Sequence, residues 1–253
     1  MSKEGVGQAE CLVLRERMQE VGVRAVLFDL DDTLFKTYFT EGRRIYKVAL
    51  EAKLGYELVE KEFMAEWYGQ WRELKKTHGV HPRFHRQISE VMAAKYGFEP
   101  LPDDLEAAYG DMCEVIYKTV PEEMPGTKET VAALKEAEIG VYVVTHAEED
   151  WTELKLSNWQ GVFDGVHCVD VNNHKDAAAW AEALEEFGLS PAEVAVVGDN
   201  VEADIEPMAR LGVRYKFRMS ASWGPTSQPL PAETWEIDNL YQIVEFFLDG
   251  KGE

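Results

Sequence analysis

The strongest constraint on this chain is the way its apolar runs end. Arg24-Ala-Val-Leu-Phe-Asp-Leu30, Val141-Tyr-Val-Val-Thr145 and Val194-Ala-Val-Val-Gly-Asp199 are short, nearly continuous apolar segments that finish in polar groups. Continuous rather than alternating hydrophobicity marks strands covered on both faces, as in a parallel sheet. Val166–Val171 reads as another strand. Helical patterns separate them: Glu10–Glu20, Lys128–Glu138, Asp176–Phe187 closed by Gly188, and Val201–Leu211 ended by Gly212. Ser190-Pro191-Ala192-Glu193 carries the Ser cap, early proline and following Glu of a short helix start. Such alternation predicts an α/β fold, a Rossmann-like, doubly wound parallel sheet.

Residues 37–120 break the alternation. Apolar and aromatic residues recur at helical spacing in Ile45–Leu54, Phe63–Leu74, Phe84–Tyr96 and Leu105–Tyr117, with Pro82, Pro100, Pro102 and Pro121 as breaks. The expected organisation is an α/β core made of residues 1–36 and 121–253, with 37–120 inserted as an all-helical cap domain. Tyr38, Phe39, Tyr46, Phe63, Trp67, Tyr68 and Trp71 are expected to form its core.

Strand ends make chemistry in open α/β sheets, because the ligand crevice lies beyond their carboxyl ends. Asp29 and Asp31 are two apart and can share a side of the chain, with Leu30 opposite. Together with Thr145, Asp199 and Asp204 they make a dense negative site. Carboxylates so crowded need a cation or a shared proton. A hard divalent ion with oxygen ligands suits them, and magnesium is usual where phosphate also binds.

These segments resemble the haloacid dehalogenase-like (HAD) superfamily. Phe28-Asp29-Leu30-Asp31-Asp32-Thr33-Leu34 is similar to its first signature, DxDxT after an apolar strand. Thr145 resembles the second motif, Lys175 the third, and Gly198-Asp199-Asn200 with Asp204 the fourth. Pro125-Gly126 is similar to the family's re-entry from the cap, and the resemblance spans roughly residues 23–213. It implies that Asp29 is a nucleophile that becomes an aspartyl phosphate, and that Asp31 is the acid and then the base. It implies that Thr145 and Lys175 hold the phosphoryl group. Asp29, the backbone carbonyl of Asp31, and Asp199 would ligate magnesium, with Asp204 supporting. An acid at position 31 is a phosphatase feature, since the dehalogenases that name the family lack it. Two departures from the usual pattern are His146, where asparagine is frequent, and Asp176, where proline is frequent. His146 is a candidate to line the substrate site.

The expected activity is hydrolysis of a small phosphorylated metabolite. A mutase, a pyrophosphatase or a non-catalytic phosphate-binding module would share most of the motifs, although a pure binder has no need of Asp31. The net charge of −21 argues against nucleic acid and anionic membrane surfaces. No apolar run reaches membrane-span length, and the N-terminus lacks the basic and apolar pattern of a secretory signal. Cys11, Cys113 and Cys168 form no paired motif, which fits a reducing cytoplasm. Residues 37–120 carry a net charge of −2, leaving −19 for the remainder. Within them, Arg72, Lys75, Lys76, Arg83 and Arg86 face only Glu73, with His78, His81 and His85 nearby in sequence. This segment reads as a solvated face, or as an electropositive lip for an anionic substrate. His81 and His85 have a metal-compatible spacing but no acidic or thiol partner close by, so a solvated or packing role is expected.

Overall fold

The computed structural model describes residues 8–78, 83–170, 172–220 and 229–252. Helix α1 (Gln8–Glu20) leads into strand β1 (Ala25–Phe28). Four helices follow: α2 (Phe39–Leu54), α3 (Glu60–His78), α4 (Arg83–Lys95) and α5 (Asp103–Tyr117). The chain then runs through α6 (Thr127–Glu136), β2 (Gly140–Thr145), α7 (Glu149–Lys155), β3 (Gly165–Cys168), α8 (Ala177–Phe187), β4 (Val194–Gly198) and α9 (Glu206–Arg210). It ends with β5 (Tyr215–Met219), β6 (Thr234–Ile237) and α10 (Tyr241–Leu248).

All six strands are parallel, in the order β3-β2-β1-β4-β5-β6. The three apolar runs therefore occupy the centre of the sheet. Phe28 is in register with Val143 on one side and Val197 on the other. Alternation along β1 feeds two cores. Val26 and Phe28 pack with residues of α1, α6 and α10, whereas Ala25 and Leu27 pack with residues of α8 and α9. Layers on both faces are what a run with no polar side requires. The order reverses between β1 and β4, so the topological switch point lies where Asp29 and Asp199 emerge.

Two elements differ from expectation. Strand β3 stops at Cys168 rather than Val171. Asp170 Oδ1 accepts the N–H of Asn172 at 2.8 Å, an Asx turn that takes the chain out of the ladder. Val171 lies outside the described residues. The helix expected over 201–211 is a π-helical segment, Val201–Ile205, followed by the short α9. Pro207 explains the change, for it has no N–H to give to the carbonyl of Ala203. That carbonyl instead accepts the indole N–H of Trp180 at 2.8 Å.

The Cα framework separates into two compact units. One comprises the chain up to Lys36, Glu122–Val169 and the chain from Lys175 on. The other comprises Thr37–Pro121 and Asp170–His174. In the helical unit α2 lies close against α5, and a Cβ at Gly42 would meet Ile116 at 2.6 Å. Tyr46, Phe63 and Trp67 are buried, as their spacing suggested, and Tyr46 donates to the carbonyl of Ser89 at 2.6 Å. Arg43 is buried too, with its guanidinium 4.5 Å from the Tyr68 ring centroid, 5.3 Å from Phe39 and 5.9 Å from Trp71. His85 is a packing residue. It is fully buried, 5.1 Å from Trp71 and 5.7 Å from Phe39 by ring centroids, and neither ring nitrogen has a hydrogen-bond partner among the described residues. Burial, helped by the charge of Arg43, lowers its pKa to about 3, so it is neutral.

The basic segment is less one-sided than its sequence. Lys76 pairs with Glu73 at 2.7 Å, and Arg86 pairs with Glu90 at 2.7 Å and with Glu106 from α5. Arg72 is exposed. His81, and the side chains of Lys75, His78 and Arg83, lie outside the described residues. Cys11, Cys113 and Cys168 are free thiols, and among the described residues no helix is long and apolar enough to cross a membrane.

Candidate active site

The site grows from the central strand. After Phe28 the N–H of Asp29 still donates to Val197 on the neighbouring strand, at 2.8 Å, so Asp29 is fixed as if it were one more rung of the ladder. The chain then folds into a tight loop. The carbonyl of Leu30 accepts N–H groups from Leu34 and Phe35, both at 3.0 Å, and Asp32 takes a left-handed conformation with φ 58°. Aspartate tolerates that region better than most side chains. Asp29 is left 7% exposed at the strand end.

Asp199 and Asp204 arrive from β4. Asn200 caps the π-helical segment, its Oδ1 accepting from the N–H of Glu202 at 3.0 Å and of Ala203 at 3.2 Å. Its own N–H donates to Asp204 Oδ2 at 3.0 Å, which turns that carboxylate back toward the strand. Position 198 must be glycine, because a Cβ there would lie 2.4 Å from Asp204. One carboxylate oxygen from each of Asp29, Asp199 and Asp204 lies within 4.8 Å of the others.

Lys175 closes this cluster. Its Nζ is 2.5 Å from Asp29 Oδ1 and 2.7 Å from Asp204 Oδ1, and its side chain is 2% exposed. The Trp180 ring lies 4.8 Å from the ammonium, held in turn by the carbonyl that Pro207 frees. Thr145 ends β2 beside β1 and is buried, and its Oγ1 has no hydrogen-bond partner among the described residues. His146 follows it, half-buried.

Asp31 goes elsewhere. Its carboxylate is outside the three-acid cluster and is ion-paired to Lys155 on the last turn of α7. Lys155 was not foreseen from sequence. Its helix has only seven residues, too few for a readable apolar period, and no motif marks the position. The one local hint is Trp151, a turn earlier, whose ring centroid lies 3.4 Å from the ammonium.

The electrostatics divide along the same line. Burial is the largest influence on Asp199 and Asp204 and makes both hold their protons more tightly. Neighbouring carboxylates add to it, Lys175 opposes it, and Asp204 is pushed up to about 6. Asp199 keeps some exposed surface, but its neighbours surround the carboxylate. For Lys175, burial favours loss of the proton, but Asp204 and Asp29 together outweigh it and raise its pKa. For Lys155 burial pushes the pKa down, and the charge of Asp29 together with the ion pair to Asp31 opposes it.

Three oxygen donors this close fit a hard divalent cation. The unpaired Thr145 hydroxyl and the buried Lys175 ammonium fit an anion's oxygens. Both expected ligand types thus suit the residues present.

Comparison with known proteins agrees. Residues 23–212 match the family model described as haloacid dehalogenase-like hydrolase. The chain is 29% identical over 202 residues to a glyceraldehyde 3-phosphate phosphatase from Methanopyrus kandleri, covering 76% of this chain and 82% of that protein. A HAD hydrolase of Bacillus subtilis bound to magnesium superposes with a TM-score of 0.67 at 18% identity, covering 89% of this chain and 98% of that one. The L-2-haloacid dehalogenase of Xanthobacter autotrophicus superposes with a TM-score of 0.59 at 20% identity, covering 88% and 98%. The strand order, the switch-point acids and the family match agree: this chain belongs to the haloacid dehalogenase-like hydrolases.

Proposed function

We propose that the protein is a magnesium-dependent phosphatase of small phosphomonoesters, working through an aspartyl phosphate on Asp29. The observation that carries this is the clustering of Asp29, Asp199 and Asp204 around Lys175, with the unpaired Thr145 hydroxyl at the adjoining strand end. The phosphatase relative supports the phosphoester class and a small phosphorylated substrate. The acid at position 31 favours phosphatase over dehalogenase chemistry.

Asp29, Asp199 and Asp204, with the backbone carbonyl of Asp31, would hold the magnesium, which when bound offsets negative charge on the site and on the phosphoryl group. The chain's own groups carry the reaction. Lys175 and Thr145 bind and orient phosphoryl oxygens. An Asp29 oxygen attacks phosphorus as the ester bond breaks, and Asp31 gives its proton to the departing alkoxide. Asp31, now a carboxylate, takes a proton from water. That water attacks phosphorus, the bond to Asp29 breaks, and phosphate leaves. The helical unit, inserted between the first motif and the others, acts as a cap that restricts the site to small substrates.

The test is a turnover screen over phosphorylated metabolites, glyceraldehyde 3-phosphate included, with magnesium or with excess chelator. Asp29→Asn should lower turnover at least about 10⁴-fold while circular dichroism and melting stay native-like. Near-normal hydrolysis by a folded Asp29→Asn protein, or full activity in chelator, would refute the reading.

A further inference from the structure

Two lysines are buried at this site, and the mechanism above uses one. Lys175 serves Asp29 and Asp204, whereas Lys155 is bound to Asp31. The side chain of Lys155 is 1% exposed, and that of Asp31 is 24% exposed. A lysine so buried is costly unless the arrangement fixes its partner well. Here it does, from two directions. The ammonium sits 3.4 Å from the centroid of Trp151, one helical turn back on α7, and it grips one oxygen of Asp31, Oδ1.

We propose that Lys155 is a positioning residue for the general acid–base. It pins Oδ1 of Asp31, so that Oδ2 is the oxygen presented to the leaving group and then to water. The inference rests on the phosphatase reading of the site and deepens it. In the first step the Oδ2–H bond breaks and the proton goes to the leaving oxygen as its bond to phosphorus is lost. In the second, Oδ2 recovers a proton from the attacking water. Lys155 keeps its own contacts through both steps and touches no reacting atom. The separation of cations has a chemical logic. A single lysine shared between nucleophile and acid–base would tie their positions together, but they must act on opposite sides of phosphorus.

A merely structural Lys155, neutralising the C-terminal turn of α7, would affect all substrates alike. The test therefore compares an alkyl phosphate, whose leaving group needs a proton, with a phenolic phosphate, which needs it far less. Wild type, Lys155→Met, Lys155→Arg, Asp31→Asn and the double variant Asp31→Asn/Lys155→Met are assayed with magnesium, and thermal melts report folding. General acid–base catalysis contributes about 10²–10⁴-fold, so loss of positioning should cost Lys155→Met about 10–100-fold in kcat on the alkyl ester. The phenolic ester should lose only about threefold and KM should hardly move, because binding is left to Lys175 and Thr145. Lys155→Arg should recover part of the loss. In the Asp31→Asn background the second substitution should add nothing, as for residues acting as one unit.

Equal losses on both esters, or a full additional loss in the double variant, would overturn the inference. If Lys155→Met does not fold, Trp151→Leu is judged by the same leaving-group criterion. A wild type that hydrolyses neither ester, or an Asp29→Asn protein that hydrolyses both, would instead bring down the phosphatase reading and this inference with it.

Discussion

In the α/β unit, Lys175 and Lys155 are buried against carboxylates at the end of β1, in the loop after it and in the π-helical segment after β4. In the helical unit, Arg43 and His85 are buried among the faces of Phe39, Trp67, Tyr68 and Trp71. Both units take ionisable groups out of water, but the compensation differs. In the first, opposite charges hold each other in fixed positions, and burial and crowding make Asp199 and Asp204 bind protons more tightly. In the second, ring quadrupoles face the guanidinium, and the imidazole gives up its charge. The first arrangement has the donor types that suit a cation and an anion. The second fills a core.

Three changes test this contrast. The largest effect should come from Lys175→Met, which strands Asp29 and Asp204 with no cation between them. In chelated protein, breaking a buried pair of this kind should cost about 3–5 kcal/mol in denaturant unfolding. Added magnesium should restore part of that stability but not the turnover. Unchanged stability in chelator would mean that Lys175 does not balance these acids.

Trp67→Ala comes next. Trp67 is fully buried, and removing such a side chain typically costs about 3–5 kcal/mol. Here the loss should appear as early melting of the helical unit in calorimetry, with no recovery on adding magnesium. Magnesium rescue equal to that of Lys175→Met would erase the distinction between the units.

The smallest effect belongs to His85→Phe and shows only in its pH dependence. His85 ionises in the folded protein at about 3, against about 6.5 unfolded, so below the latter the unfolded chain takes up a proton that the folded chain refuses. The stability from neutral His85 is present above pH 6.5 and is lost on acidification, by up to about 1.4 kcal/mol per pH unit. Wild type should therefore lose more stability than His85→Phe between pH 6.5 and 4. Parallel stability curves would show that the imidazole has a partner that keeps it charged.

The same contrast explains what could be read from sequence. Asp29, Thr145 and Asp199 were legible because continuous apolar strands announce their own ends, and the topology brings those ends together. Lys175 and Asp204 followed from their place in the order of motifs. Lys155 was hidden because its partner is remote in sequence and its helix is short. Strands β5 and β6 were hidden for a different reason. In Tyr215-Lys216-Phe217-Arg218-Met219, alternating charge suggests one wet face, yet all five residues are buried. Lys216 donates to the carbonyls of Val213 and Arg214 at 2.7 and 3.0 Å, and Arg218 pairs with Glu236 at 2.6 Å. Composition alone does not reveal such private partners.

The junction beside the nucleophile loop has a wider consequence. Lys36 donates to the carbonyl of Glu122 at 2.8 Å, Met124 donates to the carbonyl of Leu34 at 2.9 Å, and Phe35 bridges Glu123 in antiparallel sense. The two chain segments that leave and re-enter the α/β unit are thus laced together at their base. To that unit, everything between Lys36 and Glu122 is one closed loop. Loop-closure entropy grows only logarithmically, about 0.6 kcal/mol for each doubling of length. A shorter or longer module with the same end-to-end spacing could replace the helical one at little thermodynamic cost. The lacing makes the insert an exchangeable part, one that could be replaced over evolutionary time while the acids beyond β1 and β4 stay where they are.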